Sequence, residues 1–311
     1  MQVHIADAQT SIVNQLTASL SELSARSEPA EPVAGALDRI ETYAFQAARR
    51  WTTSSGPWVM VRTAVGYVLC PETDTALIAS LIDSNELESG TRTLIEQLLN
   101  PGDCFIDIGA NIGLHTIAAA RRVGPGGGVF AFEPFPASKE ALDESLWLNG
   151  LSSLVSVAQL AIFSRAGEQN LFLGRTSGHH SLFSEVIETP TEHSVLVTTA
   201  TLDSVIPAGQ RVDLVKIDVE GAELDVLKGA RRVLDENPRL KLIVEFGLSH
   251  LEHRGLDPME WIGAFQQAGF SKLFGIDEAT GGVEAMTSDQ IIARQNINLL
   301  LTRDLGTSDS V

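Results

Sequence analysis

The stretch from Asp103 to Thr116 constrains this chain more than any other. Cys104 to Ile108 is a short apolar run holding one acid, Asp107, and it leads into Gly109, Gly113 and a helical pattern that starts at Leu114. An apolar run too short for a helix, then a glycine turn, then a helix, reads as a buried strand of an open α/β sheet feeding a ligand-binding turn. Glycine is expected at 109 and 113 because the backbone there must come close to a ligand. The spacing is not Gly-x-Gly-x-x-Gly, since Gly113 is the next glycine after Gly109. A pyrophosphate loop wants the denser pattern. The acid-x-Gly-x-x-x-Gly arrangement suits a nucleoside that carries a positive charge.

The rest of the chain supplies the sheet that this strand needs. Val129–Phe132, Val155–Ala161, Val212–Asp218 and Leu240–Phe246 read as strands, and Leu114–Val123, Ser138–Leu148, Gly221–Leu234 and 258–268 as helices between and after them. Such alternation at short spacing calls for a parallel sheet with right-handed crossovers. Gln169–Leu173 and Val195–Thr199 are extra strands, and Lys272–Ile276 with Asn296–Leu301 is expected as an antiparallel edge pair. Ahead of the sheet, Trp58–Arg62 and Gly66–Leu69 form a hairpin pattern. Residues 3–25 and 37–51 have helical apolar spacing around a polar, proline-broken linker at 27–32. The first of these helices packs on the domain or serves as a homodimer contact. The expected division is an N-terminal helical and hairpin extension over 1–87, the main domain over 88–303 and a polar tail over 304–311.

Four of the strands end in carboxylates: Asp107, Glu133, Asp218 and Glu245. In an open parallel sheet the ligand sits beyond the carboxyl ends of the strands, at the point where strand order reverses. Four acids on one rim therefore mark a site. Glu133 follows Asp107 at the end of the next strand and is placed to accept ribose hydroxyls. Asp107 is placed to hold a ligand ammonium, directly or through water. S-adenosylmethionine has both features. Composition narrows the partners. The 311 residues carry 22 basic and 40 acidic side chains, a formal charge of −18, so the cationic footprint that nucleic acid demands is missing. No apolar run approaches a membrane span, no leader pattern opens the chain, and two cysteines, Cys70 and Cys104, exclude a disulfide framework. The expected compartment is the cytoplasm.

Asp107-Ile-Gly-Ala-Asn-Ile-Gly113, Phe132-Glu133-Pro134, Leu202-Asp203 and Val215-Lys216-Ile217-Asp218-Val219-Glu220-Gly221-Ala222-Glu223 together resemble the FkbM-type S-adenosylmethionine-dependent methyltransferases, over about residues 88 to 270. The resemblance implies a class I methyltransferase (Rossmann-like) fold: a seven-stranded, mostly parallel α/β sheet, helices on both faces, the last strand antiparallel. It also implies O-methylation, often of a sugar hydroxyl in a glycoside or polysaccharide or of a polyketide-type product. The residues set against the cofactor are Asp107, Gly109, Ala110, Asn111, Gly113, His115, Glu133, Pro134 and Ala161, with Glu88 on the resemblance alone. His115 opens the helix after the glycine turn and suits a helix surface equally well.

Methyl transfer from a sulfonium is an in-line displacement, and a sugar hydroxyl gains from a general base. Asp218 is the first candidate, with Lys216 on the same strand face able to pair with it, and Glu245 ends the neighbouring strand. His180, in the glycine-flanked loop His179-His180-Ser181, is the candidate histidine base, and a plain surface loop is the competing reading. Glu220 and Glu223 fall where a helix N-terminus favours anions. His250 and His253 could join Asp218 and Glu245 around a divalent cation, but with no compact motif such as His-Glu-x-x-His no metal is assigned. Two other functions fit less of the pattern: a cofactor-binding module without catalysis inside a polysaccharide or natural-product assembly system, and a nicotinamide-dependent oxidoreductase.

Overall fold

Central strands buried on both faces must be apolar throughout, and the chain's apolar runs do form the middle of a sheet. The computed structural model describes residues 58–174, 176–187 and 193–304. The segments 3–25, 27–32 and 37–51 lie outside them. Ten helices and thirteen strands are numbered in chain order. A hairpin, β1 (Trp58–Thr63) and β2 (Gly66–Pro71), precedes α1 (Thr75–Ser84) and α2 (Ser89–Leu98). Next come β3 (Cys104–Ile108), α3 (Leu114–Val123), β4 (Gly128–Phe132), α4 (Pro136–Leu148) and β5 (Val155–Ala158). The strands β6 (Ala161–Ile162), β7 (Gly167–Phe172) and β8 (Ser194–Ala200) build a separate small sheet, ordered β6-β8-β7. Then follow α5 (Leu202–Val205), β9 (Leu214–Ile217), α6 (Glu223–Gly229), α7 (Arg231–Glu236), β10 (Lys241–Gly247), α8 (Leu248–His253) and α9 (Pro258–Gln267). The chain closes with β11 (Lys272–Ile276), β12 (Val283–Ala285), α10 (Ser288–Arg294) and β13 (Asn296–Thr302).

The main sheet runs β12-β11-β13-β10-β9-β3-β4-β5. The five strands from β10 to β5 are parallel, and β13 lies antiparallel between β10 and β11. Seven of these eight strands, with their order and directions, make the class I methyltransferase sheet. The expected count of seven is corrected by β12, a three-residue strand that pairs with β11 through Ile276↔Val283. It was too short, and with Glu284 too polar, to stand out in the sequence. β13, between β10 and β11, is an interior strand, and β12 covers the outer edge of β11.

Side chains alternate across β3. Phe105 packs with Ile95, Ile117, Ala120, Leu142 and Leu300 on one face. Ile106 and Ile108 pack with Val215, Ile217, Val226, Trp261, Phe265 and Leu299 on the other. The hairpin's Val61, Val68 and Cys70 belong to the first of these cores, and the backbone N–H of Leu69 donates to Ser145 Oγ at 2.8 Å. Burial of this kind supplies roughly 25 cal/mol per Å² of apolar area, enough to hold the hairpin on α4.

Two expected elements are broken, each for a visible reason. Val155–Ala161 divides after Ala158, where β4 runs out and the N–H of Glu133 takes the Ala158 carbonyl at 3.2 Å. Gly221–Leu234 divides at Ala230. There Asp203 Oδ2 and Oδ1 accept the backbone N–H groups of Arg232 (2.9 Å) and Val233 (3.0 Å), and a carboxylate on those two donors starts a new helix. The Leu202-Asp203 motif is thus a helix cap.

Candidate active site

The order of strands in the sheet reverses between β3 and β9, so the rim above those two strands is the place for a ligand. Asp107 is the fourth residue of β3, Glu133 follows β4, Asp218 follows β9, and Glu245 lies inside β10. Four neighbouring strands therefore bring their acids to one edge.

The glycine turn is held by the sheet. The N–H groups of Gly109 and Ala110 both donate to the Phe132 carbonyl at 3.0 Å. Asn111, with φ +48°, donates its N–H to Glu133 Oε2 at 2.8 Å. Gly109 has φ +87°, and a Cβ there would lie 1.8 Å from the Asp218 carbonyl oxygen; at Gly113 it would lie 2.2 Å from Leu142 Cδ1. The expectation that these glycines make room for a ligand is refined by this. They let β9 and α4 close onto the turn, and the turn's shape then follows.

Beside the turn lies an open cleft. Gly109, Asn111, Glu133, Pro134, Ala161, His180 and Asp218 line it, among apolar Ile108, Phe132, Leu160 and Leu182. Glu133 is 7% exposed, and Phe135 N–H and Asn111 N–H each hold one of its oxygens at 2.8 Å. Burial pushes its carboxyl up to about 7 against the pull of those two donors. Each oxygen keeps a lone pair for a hydroxyl. His180 accepts Gly174 N–H on Nδ1 at 3.1 Å and sets its ring edge-on to Phe135, 4.7 Å between centroids. Burial pulls it down to about 4, so it is neutral near pH 7. Ser181 Oγ donates to the Glu220 carbonyl at 2.7 Å and ties the His180 loop to the turn after β9.

The remaining site residues gather behind and beside the cleft. Lys216, 2% exposed, puts Nζ 2.5 Å from Asp218 Oδ2 and 3.7 Å from Glu88 Oε2. Burial opposes charge on both Lys216 and Asp218, but their mutual attraction prevails: Asp218 is held below the usual carboxylate range and Lys216 above the usual amine range. Asp107 is fully enclosed, takes Thr116 Oγ on Oδ2 at 2.5 Å, and has an unpartnered Oδ1. It stands behind the cleft wall, where burial raises it and Lys216 opposes the rise. His115 Nε2 faces Glu88 Oε2 at 3.6 Å, too far for a hydrogen bond. Burial drives His115 down to about 3, so this contact is no ion pair. Glu245 meets Asp218, and burial with the Asp218 and Glu220 charges pushes it well above its ordinary value. Glu223 accepts Gly221 N–H at 2.9 Å at the first turn of α6, as a helix N-terminal acid should.

Glu88, Asp107, His115 and Glu245 thus form one polar cluster with Lys216 and Asp218, while Ala110 and Gly113 shape the turn without lining the cleft. Sequence reasoning missed Asn298 and Glu278. Asn298 Nδ2 donates to Glu88 at 3.0 Å and to Glu278 at 3.1 Å, and Glu278 takes the N–H of Thr91 at 3.0 Å. An Asn on a late strand and an acid in a turn carry no local signal; only the Glu245↔Asn298 register brings them in.

The residues at the cleft fit S-adenosylmethionine: apolar walls for a base, Glu133 for ribose hydroxyls, and an orphaned buried oxygen on Asn111. Known proteins similar to this chain are methyltransferases. Methyltransferase sdnD of Sordaria araneosa is 35% identical over 159 residues, covering 42% of this chain and 61% of that protein. The hexuronic acid methyltransferase AglP of Haloferax volcanii is 28% identical over 173 residues, covering 54% of this chain and 63% of that one. The matches thus span less than two thirds of the length of these curated relatives. The crystal structure of methyltransferase FkbM from Methylobacillus flagellatus KT aligns with a TM-score of 0.41 at 16% identity, covering 86% of this chain and 60% of that one. That overlap is too loose to carry an argument, and the fold rests on the strand order above. The model for the methyltransferase FkbM domain matches residues 107–272, from the acid of β3 to the start of β11, which is more than half of the chain. On that match, this chain belongs to the methyltransferase FkbM domain family.

Proposed function

We propose that this protein is an S-adenosylmethionine-dependent O-methyltransferase acting on a hydroxyl, that of a sugar in a glycoside or polysaccharide. The observation that carries the reading is the pairing of two sites on one rim. Glu133, Gly109 and Asn111 line one cleft, and the Lys216–Asp218–Glu245 group opens into the same cleft through Asp218. The sugar acceptor is supported by the name of the Haloferax relative, a hexuronic acid methyltransferase. The formal charge of −18 argues against nucleic acid, and the proposed compartment is the cytoplasm, in keeping with two buried free thiols.

When bound, the cofactor would supply a methyl group on a sulfonium, and its loss leaves a neutral thioether. The chain's task is alignment and proton removal. Glu133 would hold the ribose hydroxyls, and the turn that it pins would hold the nucleoside in place. Asp218 meets the acceptor at the cleft. Lys216 keeps it ionised, and Glu245 stands beside it, its carboxyl pushed up by burial and by the Asp218 and Glu220 charges. The acceptor hydroxyl's proton passes to this carboxylate group as the oxygen takes the methyl. His180, neutral near pH 7 and on the cleft wall, is the second proposed base.

The test incubates the protein and S-adenosylmethionine with a panel of glycosides, uronic acids and polyketide-type alcohols and reads a methyl gain by mass spectrometry. Transfer to a hydroxyl, reduced at least tenfold in Asp218→Asn with cofactor affinity kept, supports the reading. Cofactor binding without transfer to any hydroxyl would make the protein a binding module.

A further inference from the structure

Among the described residues, one group of side chains has the composition and spacing of a cation site. Glu220, Glu245 and His250 each offer a ligand atom, and the three atoms lie within 4.8 Å of one another. They come from three separate elements: the turn after β9, the strand β10 and the helix α8. Glu220 Oε2 stands 3.1 Å from His250 Nε2. Ligands about 2.1 Å from a common ion are roughly 3.0 Å apart when adjacent and 4.2 Å when opposite, so Glu220 and His250 already stand at the separation of adjacent ligands.

Three further observations set this group apart from an ordinary acidic surface. Glu245 Oε2 is shut off from solvent and has no hydrogen-bond partner. A buried carboxylate oxygen left so is costly unless a cation or proton meets it. The fully buried cation of the site, Lys216, is already engaged by Asp218 at 2.5 Å and by Glu88 at 3.7 Å. The imidazole is also oriented. A Cβ at Gly247 would lie 2.7 Å from His250 Nδ1, so that nitrogen faces the Gly247 backbone and Nε2 is turned toward Glu220. Glu220 itself is held at φ +51° in a turn tied by Ser181, so its position is imposed by the fold.

We propose that Glu220, Glu245 and His250 bind a divalent transition cation of the Mn²⁺ type at the acceptor side of the cleft. Two carboxylates with one imidazole suit Mn²⁺ better than the all-oxygen shells of Mg²⁺ or Ca²⁺. Glu220 lines the cleft as well as this group, so the ion's open positions face the place where an acceptor is received. Vicinal sugar oxygens or a uronate carboxylate are the ligands for those positions, and a hydroxyl bound there is acidified for methylation. This role deepens the O-methyltransferase reading; the binding site itself stands without it.

The test titrates the full chain with Mn²⁺ alone, no cofactor or acceptor present, by calorimetry and electron paramagnetic resonance. One Mn²⁺ per chain, with ¹⁴N modulation from one imidazole, is expected. Glu245→Gln and His250→Gln should each weaken binding at least tenfold, and the exposed-loop control His179→Ala should leave it unchanged. The wild-type spectrum decides the matter even if a variant misfolds. No stoichiometric Mn²⁺ at millimolar concentration, or a bound ion without nitrogen coupling, overturns the site. Mn²⁺ bound at these residues with no methyl transfer to any acceptor keeps the site and removes the methyltransferase reading. Methyl transfer unaffected by chelator, with no Mn²⁺ bound, does the reverse.

Discussion

Replacing Gly109 with alanine separates two explanations of the glycine turn. If the glycine exists to admit a ligand, Gly109→Ala should fold normally and bind poorly. The structure says otherwise, because the added Cβ would sit 1.8 Å from the Asp218 carbonyl oxygen, 1.2 Å inside the 3.0 Å that real Cβ contacts respect. The contact is with backbone just past the end of β9, so no side chain can swing away. Three costs add. A left-handed φ of +87° costs an alanine roughly 1–2 kcal/mol. Forcing β3 and β9 apart is overpacking at roughly 1–3 kcal/mol. The hydrogen bond from Asp218 N–H to the Ile108 carbonyl, now 3.0 Å, weakens by about 1 kcal/mol. The expected loss is about 3–6 kcal/mol, a large share of the 5–15 kcal/mol that holds a typical domain. Urea denaturation followed by circular dichroism measures it. Gly150→Ala is the control, since Gly150 has φ +69° with nothing within 4 Å of an added Cβ and should lose only about 1–2 kcal/mol. Equal losses in the two variants would refute the strand-packing explanation.

Other outcomes follow from the same geometry. Glu133, raised from 4.5 to about 7, favours the fold while protonated, so its contribution is present below about pH 4.5 and lost as pH rises through about 7, by about 3 kcal/mol. Denaturation midpoints at pH 5 and pH 8 should therefore differ less in Glu133→Gln than in wild type, and identical pH slopes would argue against a buried, reluctant carboxylate. Asp203→Ala should lose about 1–2 kcal/mol of stability, because two N–H groups at the start of α7 lose their acceptor, while kcat and KM stay as in wild type. A change in KM would mean that Asp203 acts in the site. Thr116→Val removes the hydroxyl that Asp107 accepts at 2.5 Å and should cost about 1–3 kcal/mol, read as a fall in thermal midpoint.

The parts of this molecule legible in the sequence were those decided locally. Cys104 to Val123 was readable because a five-residue apolar run, a glycine turn and an amphipathic helix each carry their own signal, and the helix bounds agree with the structure. The four acids were readable as a rim because strand ends in a parallel sheet share one edge. Lys216 and Asp218, two residues apart on a strand, were readable as a pair. What escaped is set by tertiary contact. The division of the helix at Ala230 depends on Asp203, almost thirty residues earlier. The role of Gly109 depends on a carbonyl just past the end of β9, and the partners of Glu88 depend on Asn298 in the last strand. Glu220 and His250 meet only because α8 folds back over the turn after β9. No periodicity in the sequence encodes such a meeting.

The central claim is that the cleft beside the Gly109–Gly113 turn holds S-adenosylmethionine through Glu133. Titration calorimetry with S-adenosylhomocysteine at pH 8, on wild type and on Glu133→Ala, tests it most directly. The account predicts one site per chain in wild type and an affinity lower by about 10- to 150-fold in the variant, the loss of a charged acceptor worth about 1.5–3 kcal/mol. No binding by the wild type, or equal affinity in a folded Glu133→Ala, would contradict it.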